Sequence, residues 1–290
     1  MEHRVSKSII ACAIDHAESA VVRLKTSGSN GYTLSGCKTL PHGLQSLASG
    51  KEKRLLSKLK GYCSAWREDE LALCVVTESL MPLPACFPAD ATTEESREYC
   101  CIEAEHFLNR PEGYGCDIAR YANGHATGNN KLLLFYPVDP CRRIAKYLSD
   151  EHQILFAGTA QLPLVHLSKF TKEPQVILEL ENSFVLFTIS RNGEIEKISF
   201  HQVNNQEEAE YFAMKELMEN PICRQTAVQV MGTRADKAMM SLIGAETSYP
   251  LKPLSILPSM SISNPQRLNT SSPAVVKAIS AAVMTLEQQL

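Results

Sequence analysis

The chain reads as an α/β protein of two halves that begin alike, with a small insertion in the first. Three features predict this. The run SIIACAIDHAESAVVRL at 8–24 is nearly continuously apolar and is broken by a polar turn at Asp15, His16, Ala17 and Glu18, as two buried strands around a reversal would be. A second such start opens at 175, where VILEL, FVLFTIS and EIEKISF follow one another with Asn192-Gly193 between the last two, a strong hairpin signal. Each meander is followed by a helical stretch and a further apolar strand, the alternation expected of an α/β architecture. At 290 residues and 44% hydrophobic content, the chain can fill one large or two medium cores.

Taken in order, strands are expected at 8–14, 19–24 and 31–40, then a helix over 45–59 and a β-branched strand at 71–77. Pro82, Pro84 and Pro88 fall within 80–90. Proline cannot donate to a ladder, so this stretch is a linker or a sheet edge. A helix follows over 93–108, with Thr93 as N-cap and Glu94 and Glu95 in its first turn. A hairpin pairs 116–121 with 131–136 across a loop at 122–130 that holds Gly124 and Gly128. A helix at 138–149 and a strand at 153–157 come next. The block 85–160 thus has the content of an inserted subdomain. In the second half a helix is expected over 206–219, a strand at 226–231, a turn at Gly232 and Thr233, and a helix over 234–243. Residues 250–272, with four prolines, read as loop. Ser272 and Pro273 start a last helix over 273–289.

Composition excludes several classes. Net charge is -3, without the basic face of a nucleic-acid binder. KEKRLLSKLK at 51–60 interleaves its charges with Leu55, Leu56 and Leu59, as an amphipathic helix does. No segment approaches the roughly 20 apolar residues of a membrane span, and the N-terminus does not read as a signal peptide. A cytoplasmic location is expected. The ten cysteines form no C-x-x-C pair, and without an export signal they read as buried hydrophobes. Cys100, Cys101 and His106 share one helix with no third partner for a metal. His152, His166 and His201 are isolated, and Trp66 reads as half-buried core or as a contact anchor. No Walker, Rossmann, zincin or nucleophile-elbow motif occurs.

Several stretches together resemble the actin-like ATPase superfamily, and within it the type IV pilus assembly protein PilM and the cytoplasmic part of the type II secretion L protein, with the cell-division protein FtsA alongside. They are IIACAIDHAESAVVRL, MPLPACFPADATTEESREYCCIEAEHFLNRPEGYGCDIARY, KLLLFYPVDPCRRIAKYL, VILELENSFVLFTISRNGEIEKISF, VQVMGTRADKAMMSLIG and SSPAVVKAISAAV. Their order and spacing cover nearly the whole chain. The resemblance implies duplicated actin-like (ribonuclease H-like) domains: 1–170 with an inserted subdomain at about 85–160, and 171–290, with the helix 273–289 packing back on the first.

The resemblance also implies a place for ATP, held by glycine-rich turns, with an aspartate of the first turn on the metal and a glycine pair after a late strand. Here Asp15 is kept, while His16 and Ala17 stand where small residues are expected. The second turn runs Glu179, Leu180, Glu181, Asn182, Ser183, with no glycine and two carboxylates that would repel a polyphosphate. The late turn keeps Gly232 and has Thr233 in place of a second glycine. Asp15 is the only metal ligand the pattern offers, and a turn aspartate needs no metal. At most weak ATP and magnesium binding is expected, with no resident cofactor.

Two functions fit. The first is a non-enzymatic cytoplasmic scaffold resembling PilM, peripheral to the inner membrane, that holds the cytoplasmic tail of an inner-membrane assembly partner. It inserts no segment in the membrane, binds no nucleic acid and is compatible with self-association. The second is a divergent sugar- or acid-kinase-like phosphotransferase using Asp139, Glu179 or Glu181, none of which a motif places.

Overall fold

The computed structural model describes residues 7–27, 31–122, 129–256, 258–263 and 272–289. In chain order the strands and helices are β1 (Ser8–Ile14), β2 (Ser19–Ser27), β3 (Gly31–Leu40), α1 (Gln45–Ala48), α2 (Glu52–Cys63), β4 (Glu70–Val75), β5 (Met81–Phe87), α3 (Thr93–Phe107), β6 (Tyr114–Arg120), β7 (Asn129–Pro137), α4 (Asp139–Leu148), β8 (Ile154–Thr159) and α5 (Gln161–His166). Then come β9 (Gln175–Leu180), β10 (Phe184–Arg191), β11 (Glu194–Gln202), α6 (Gln206–Glu219), β12 (Val228–Met231), α7 (Lys237–Thr247), β13 (Leu251–Pro253), β14 (Ile262–Ser263) and α8 (Pro273–Gln288).

The chain forms two compact units. One comprises Met1–Val76, Pro140–Phe170 and Ser255–Leu290, the other Thr77–Asp139 and Thr171–Leu254. The first unit holds a sheet ordered β14-β3-β2-β1-β4-β8. β1 to β3 are an antiparallel meander, and β4 and β8 continue it in parallel from β1. β1 is buried at every position from Ile9 to Ile14, because α8 covers this sheet at β1, β2 and β4. α8 is itself buried from Ala274 to Leu286, as a helix that is apolar all round must be. Its N-cap is Ser272, whose Oγ accepts from Val275 N.

The second unit repeats the plan. Its main sheet runs β11-β10-β9-β12-β13, again a meander extended by parallel strands from its first member. The β10–β11 reversal places Asn192 and Gly193 at φ 53° and 79°, as a two-residue hairpin loop requires. One face packs α6 and α7 through a core including Val176, Leu178, Phe187, Ala213, Val230 and Ile243. Here Glu216 of α6 is buried, and its carboxylate accepts from His201 Nε2 at 2.7 Å and Lys197 Nζ at 3.0 Å on β11. The same unit carries a three-stranded sheet, β5-β7-β6, under α3. Its core is Phe87, Cys100, Ala104, Leu133 and Phe135.

The structure changes several expected bounds. The expected helix over 45–59 is two helices, parted at Gly50, whose φ is +72°. The N-cap of α3 is Thr92, not Thr93, and a capping box with Glu95 closes it. The proline stretch is the edge strand β5. The expected insertion at 85–160 divides near 139, because β8 pairs in parallel with β4 in the first sheet. The strand expected at 226 starts at Val228, and α7 begins at Lys237, where Asp236 caps it. Residues 250–272 contain β13 and β14. Gly124 and Gly128 lie outside the described residues. Cys100 is core while Cys101 is exposed, and both are free thiols. Each isolated histidine has a partner: His152 Nδ1 at Asp69 O, His166 at Glu287, and His201 at Glu216. Trp66 is half-buried against Gly36 and lies under the Arg23 guanidinium.

Candidate functional site

Apart from Asp139 in α4 and Glu179 in β9, the residues singled out by sequence fall on or beside three turns, one in the first unit and two in the second. The β1–β2 turn is closed by Asp15 N donating to Glu18 O at 2.9 Å. Asp15 and His16 are buried and Ala17 is exposed. Leu44 N and Gln45 N donate to the carbonyls of Asp15 and His16. The Asp15 carboxylate is held from both sides: Oδ1 accepts from His16 N at 2.9 Å, and Oδ2 accepts from Lys277 Nζ at 2.9 Å. The Lys277 side chain is 1% exposed and that of Asp15 is 7% exposed. Lys277 comes from the second turn of α8. The start of that helix is fixed at the same turn, with Ser272 Oγ donating to Glu18 Oε1 at 2.6 Å.

A buried carboxylate is stable only if paired and hydrogen-bonded. Lys277 answers that need with a fixed ammonium. Sequence reading missed it. The available signal was a single lysine in PAVVKAISAAVM, a stretch otherwise free of charge. A helix without a polar face buries its lysine, and a buried lysine implies an anion nearby.

In the second unit, the β9–β10 turn is closed by Glu181 N donating to Phe184 O at 2.9 Å. Asn182 is exposed and Ser183 half-exposed. Glu181 points at the turn that follows β12. Its Oε2 accepts from Thr233 N at 3.1 Å and Thr233 Oγ1 at 2.7 Å. Arg234 then clamps the hairpin, with Nε on Asn182 Oδ1 at 3.2 Å and its main-chain N on Leu180 O at 3.0 Å. Gly232 is required here. Its φ is +110°, and an added β-carbon would lie 2.2 Å from Leu180 O. Glu179 is fully buried in β9, opposite Leu186 and Met231. Asp139 is exposed in the first turn of α4, where a carboxylate favours the helix dipole. The structure therefore joins Glu181, Asn182, Gly232 and Thr233 into one hydrogen-bonded assembly and gives Asp139 a structural role. Arg234 completes that assembly and was not anticipated.

Two sheets of one strand order, each a meander extended in parallel, decide the fold. The chain has the actin-like ATPase fold. It is similar over 98% of its length, and 99% of the other chain, to a solved structure described as a PilM-PilN type IV pilus biogenesis complex, at TM-score 0.69 and 12% identity. A Bacteroides thetaiotaomicron protein with an actin-like ATPase fold matches at TM-score 0.53 and 10% identity, covering 93% of this chain and 95% of that one. The cytoplasmic domain of EpsL, an inner membrane component of the type II secretion system of Vibrio cholerae, matches at TM-score 0.51 and 10% identity over 96% and 95%. No protein-family model matches the sequence, and no curated protein matches it in sequence. No helix among the described residues is long and apolar enough to cross a membrane.

Proposed function

We propose that the chain is a non-enzymatic scaffold of a type IV pilus or related secretion machine, working on the cytoplasmic side of the inner membrane, where it holds the cytoplasmic tail of a membrane partner as an extended peptide. The observation that carries this reading is the buried Asp15–Lys277 pair. An actin-like ATPase needs that aspartate for a metal, directly or through water. Here a side chain of the protein supplies the positive charge permanently. The late turn is closed in the same way: the Thr233 N–H and hydroxyl both go to Glu181, so a carboxylate lies where phosphate oxygens would seek donors. On this reading the site holds no magnesium-bound triphosphate, and no chemical step is assigned to one. Whole-length likeness to a chain of a PilM-PilN type IV pilus biogenesis complex supports the scaffold role.

The inserted sheet is the proposed seat of the tail. Pro82 and Pro84 remove two donors from its β5 edge, while β6 at the other edge contains no proline and suits strand addition.

Capture of short cytoplasmic tails of candidate inner-membrane proteins by the purified protein, with and without Mg-ATP, tests the proposal. One tail is expected to bind equally in both conditions. ATP turnover that Asp15→Ala abolishes would overturn it.

A further inference from the structure

In the first unit, α2 and α4 lie side by side and run in the same direction. Near their starts Arg143 pairs with Glu52, and further along Lys60 Nζ lies 5.2 Å from the Tyr147 ring centroid. The buried edges are apolar: Leu55, Leu56, Leu59 and Cys63 on α2, Cys141, Ile144 and Leu148 on α4. The outer surface is basic. Lys51, Lys53 and Arg54 at the start of α2, and Arg142 and Lys146 on α4, are exposed, with Lys58 half-buried beside them. Among the described residues, none of these six has a carboxylate within 4.0 Å. Of the acidic groups nearby, Glu52 pairs with Arg143, Asp150 and Glu151 pair with Lys60, and Asp139 stands exposed in the first turn of α4.

Two further observations set this face apart from an ordinary solvated one. The chain as a whole is acidic, with a net charge of -3, so this density is local. Lys51, Lys53, Arg54 and Arg142 also stand in or next to first helical turns, where the helix dipole disfavours cations. Next to α2, His42 senses the resulting potential. Its imidazole is held below its ordinary value by burial and then by Arg54, Lys58 and Lys51.

We propose that the α2–α4 face docks on a plane of anionic phospholipid headgroups. Flexible lysines and arginines spread over two parallel helices match a diffuse negative surface. The choice of a bilayer over a soluble polyanion rests on the scaffold reading. The charge pattern itself does not.

Each basic residue at an anionic surface contributes roughly 1 kcal/mol, or about fivefold in binding. K53E/R54E/K58E is therefore expected to weaken binding to vesicles of phosphatidylglycerol and phosphatidylcholine on the order of a hundredfold or more. R142E/K146E is expected to do so by about 25-fold. Neither alters the melting temperature, since five of the six basic side chains are exposed and none holds an ion pair. The test is vesicle co-sedimentation of the full chain at low and high salt, with the His42 titration followed by NMR. Binding to mixed but not to pure phosphatidylcholine vesicles, lost in both variants and at high salt, with His42 titrating higher when bound, supports the proposal. No sedimentation at low salt overturns it, as does equal sedimentation of the variants, or tighter retention on duplex DNA than on vesicles. Tail capture measured on the same variants separates the two readings: vesicle binding without tail capture removes the scaffold role alone, and tail capture without vesicle binding removes the docking face alone.

Discussion

Replacing Lys277 by methionine keeps an unbranched side chain, one atom shorter, and removes the ammonium with its charge and hydrogen bond, leaving the Asp15 carboxylate in the same buried turn. At the 2.9 Å separation of Nζ and Oδ2, with an effective dielectric constant near 20, the gross attraction is about 6 kcal/mol. Much of that offsets the desolvation of both groups. Breaking a buried pair from one side costs about 3–5 kcal/mol, because the abandoned charge remains. In a chain of 290 residues, a loss of that size lowers the melting temperature by roughly 6–15 °C, taking about 2–3 °C per kcal/mol for large domains. Calorimetry and urea unfolding of K277M, D15N and D15N/K277M provide the assay. Each single variant is expected to be strongly destabilised. The double variant, with neither charge, is expected to recover most of the loss, since neutral groups of similar volume often replace a buried pair at little cost. A K277M protein as stable as the parent would refute the reasoning, and so would a double variant as unstable as the sum of the singles.

Glu216 predicts a pH effect. Burial pushes its carboxyl up, but donors from His201, Lys197 and Ser199 outweigh this and hold it below its ordinary value. A depressed folded value means stability that is present above the unfolded value near ~4.3 and is lost as pH falls through the folded one. Urea midpoints measured from pH 7 down to 3 should show a decline that E216Q lacks, with E216Q about 1–3 kcal/mol less stable at pH 7. Gly232→Ala forces a β-carbon to within 2.2 Å of Leu180 O at a φ of +110°. A loss of at least ~2 kcal/mol is expected, and hydrogen exchange at Arg234 N, bonded to Leu180 O, should accelerate.

The two meanders were legible because β1, β9, β10 and the first half of β2 are buried and read as mostly apolar runs, and because Asn192-Gly193 permits few other backbone shapes. The helix α6 was legible to the residue, since Asn205, Glu207 and Glu208 mark its start. What stayed hidden has physical causes. The Asp15–Lys277 pair joins residues 262 positions apart, and no local pattern reports a partner at that range. β13 and β14 are two or three residues long and exist only through pairing with Val228–Val230 and with Tyr32 and Thr33. The break before α2 depends on one left-handed glycine, which a propensity reading passes over. The turns themselves were legible as breaks between apolar runs. That Glu181 closes the neighbouring turn was not, because it depends on where Thr233 arrives.

The helix covering β1, β2 and β4 lies far downstream of them. β4 ends at Val75 and α8 begins at Pro273. At about 5–20 residues per second, translation takes on the order of 10–40 s to cross that interval. Throughout it, a nascent sheet of isoleucine, valine and leucine has no lid, and Asp15 has no counterion. The second unit, whose segments end at Leu254, has all its strands before then. The first unit thus closes only once α8 has been made, after every strand of the second unit, and until then the ribosome-bound chain presents chaperones with an unprotected apolar surface.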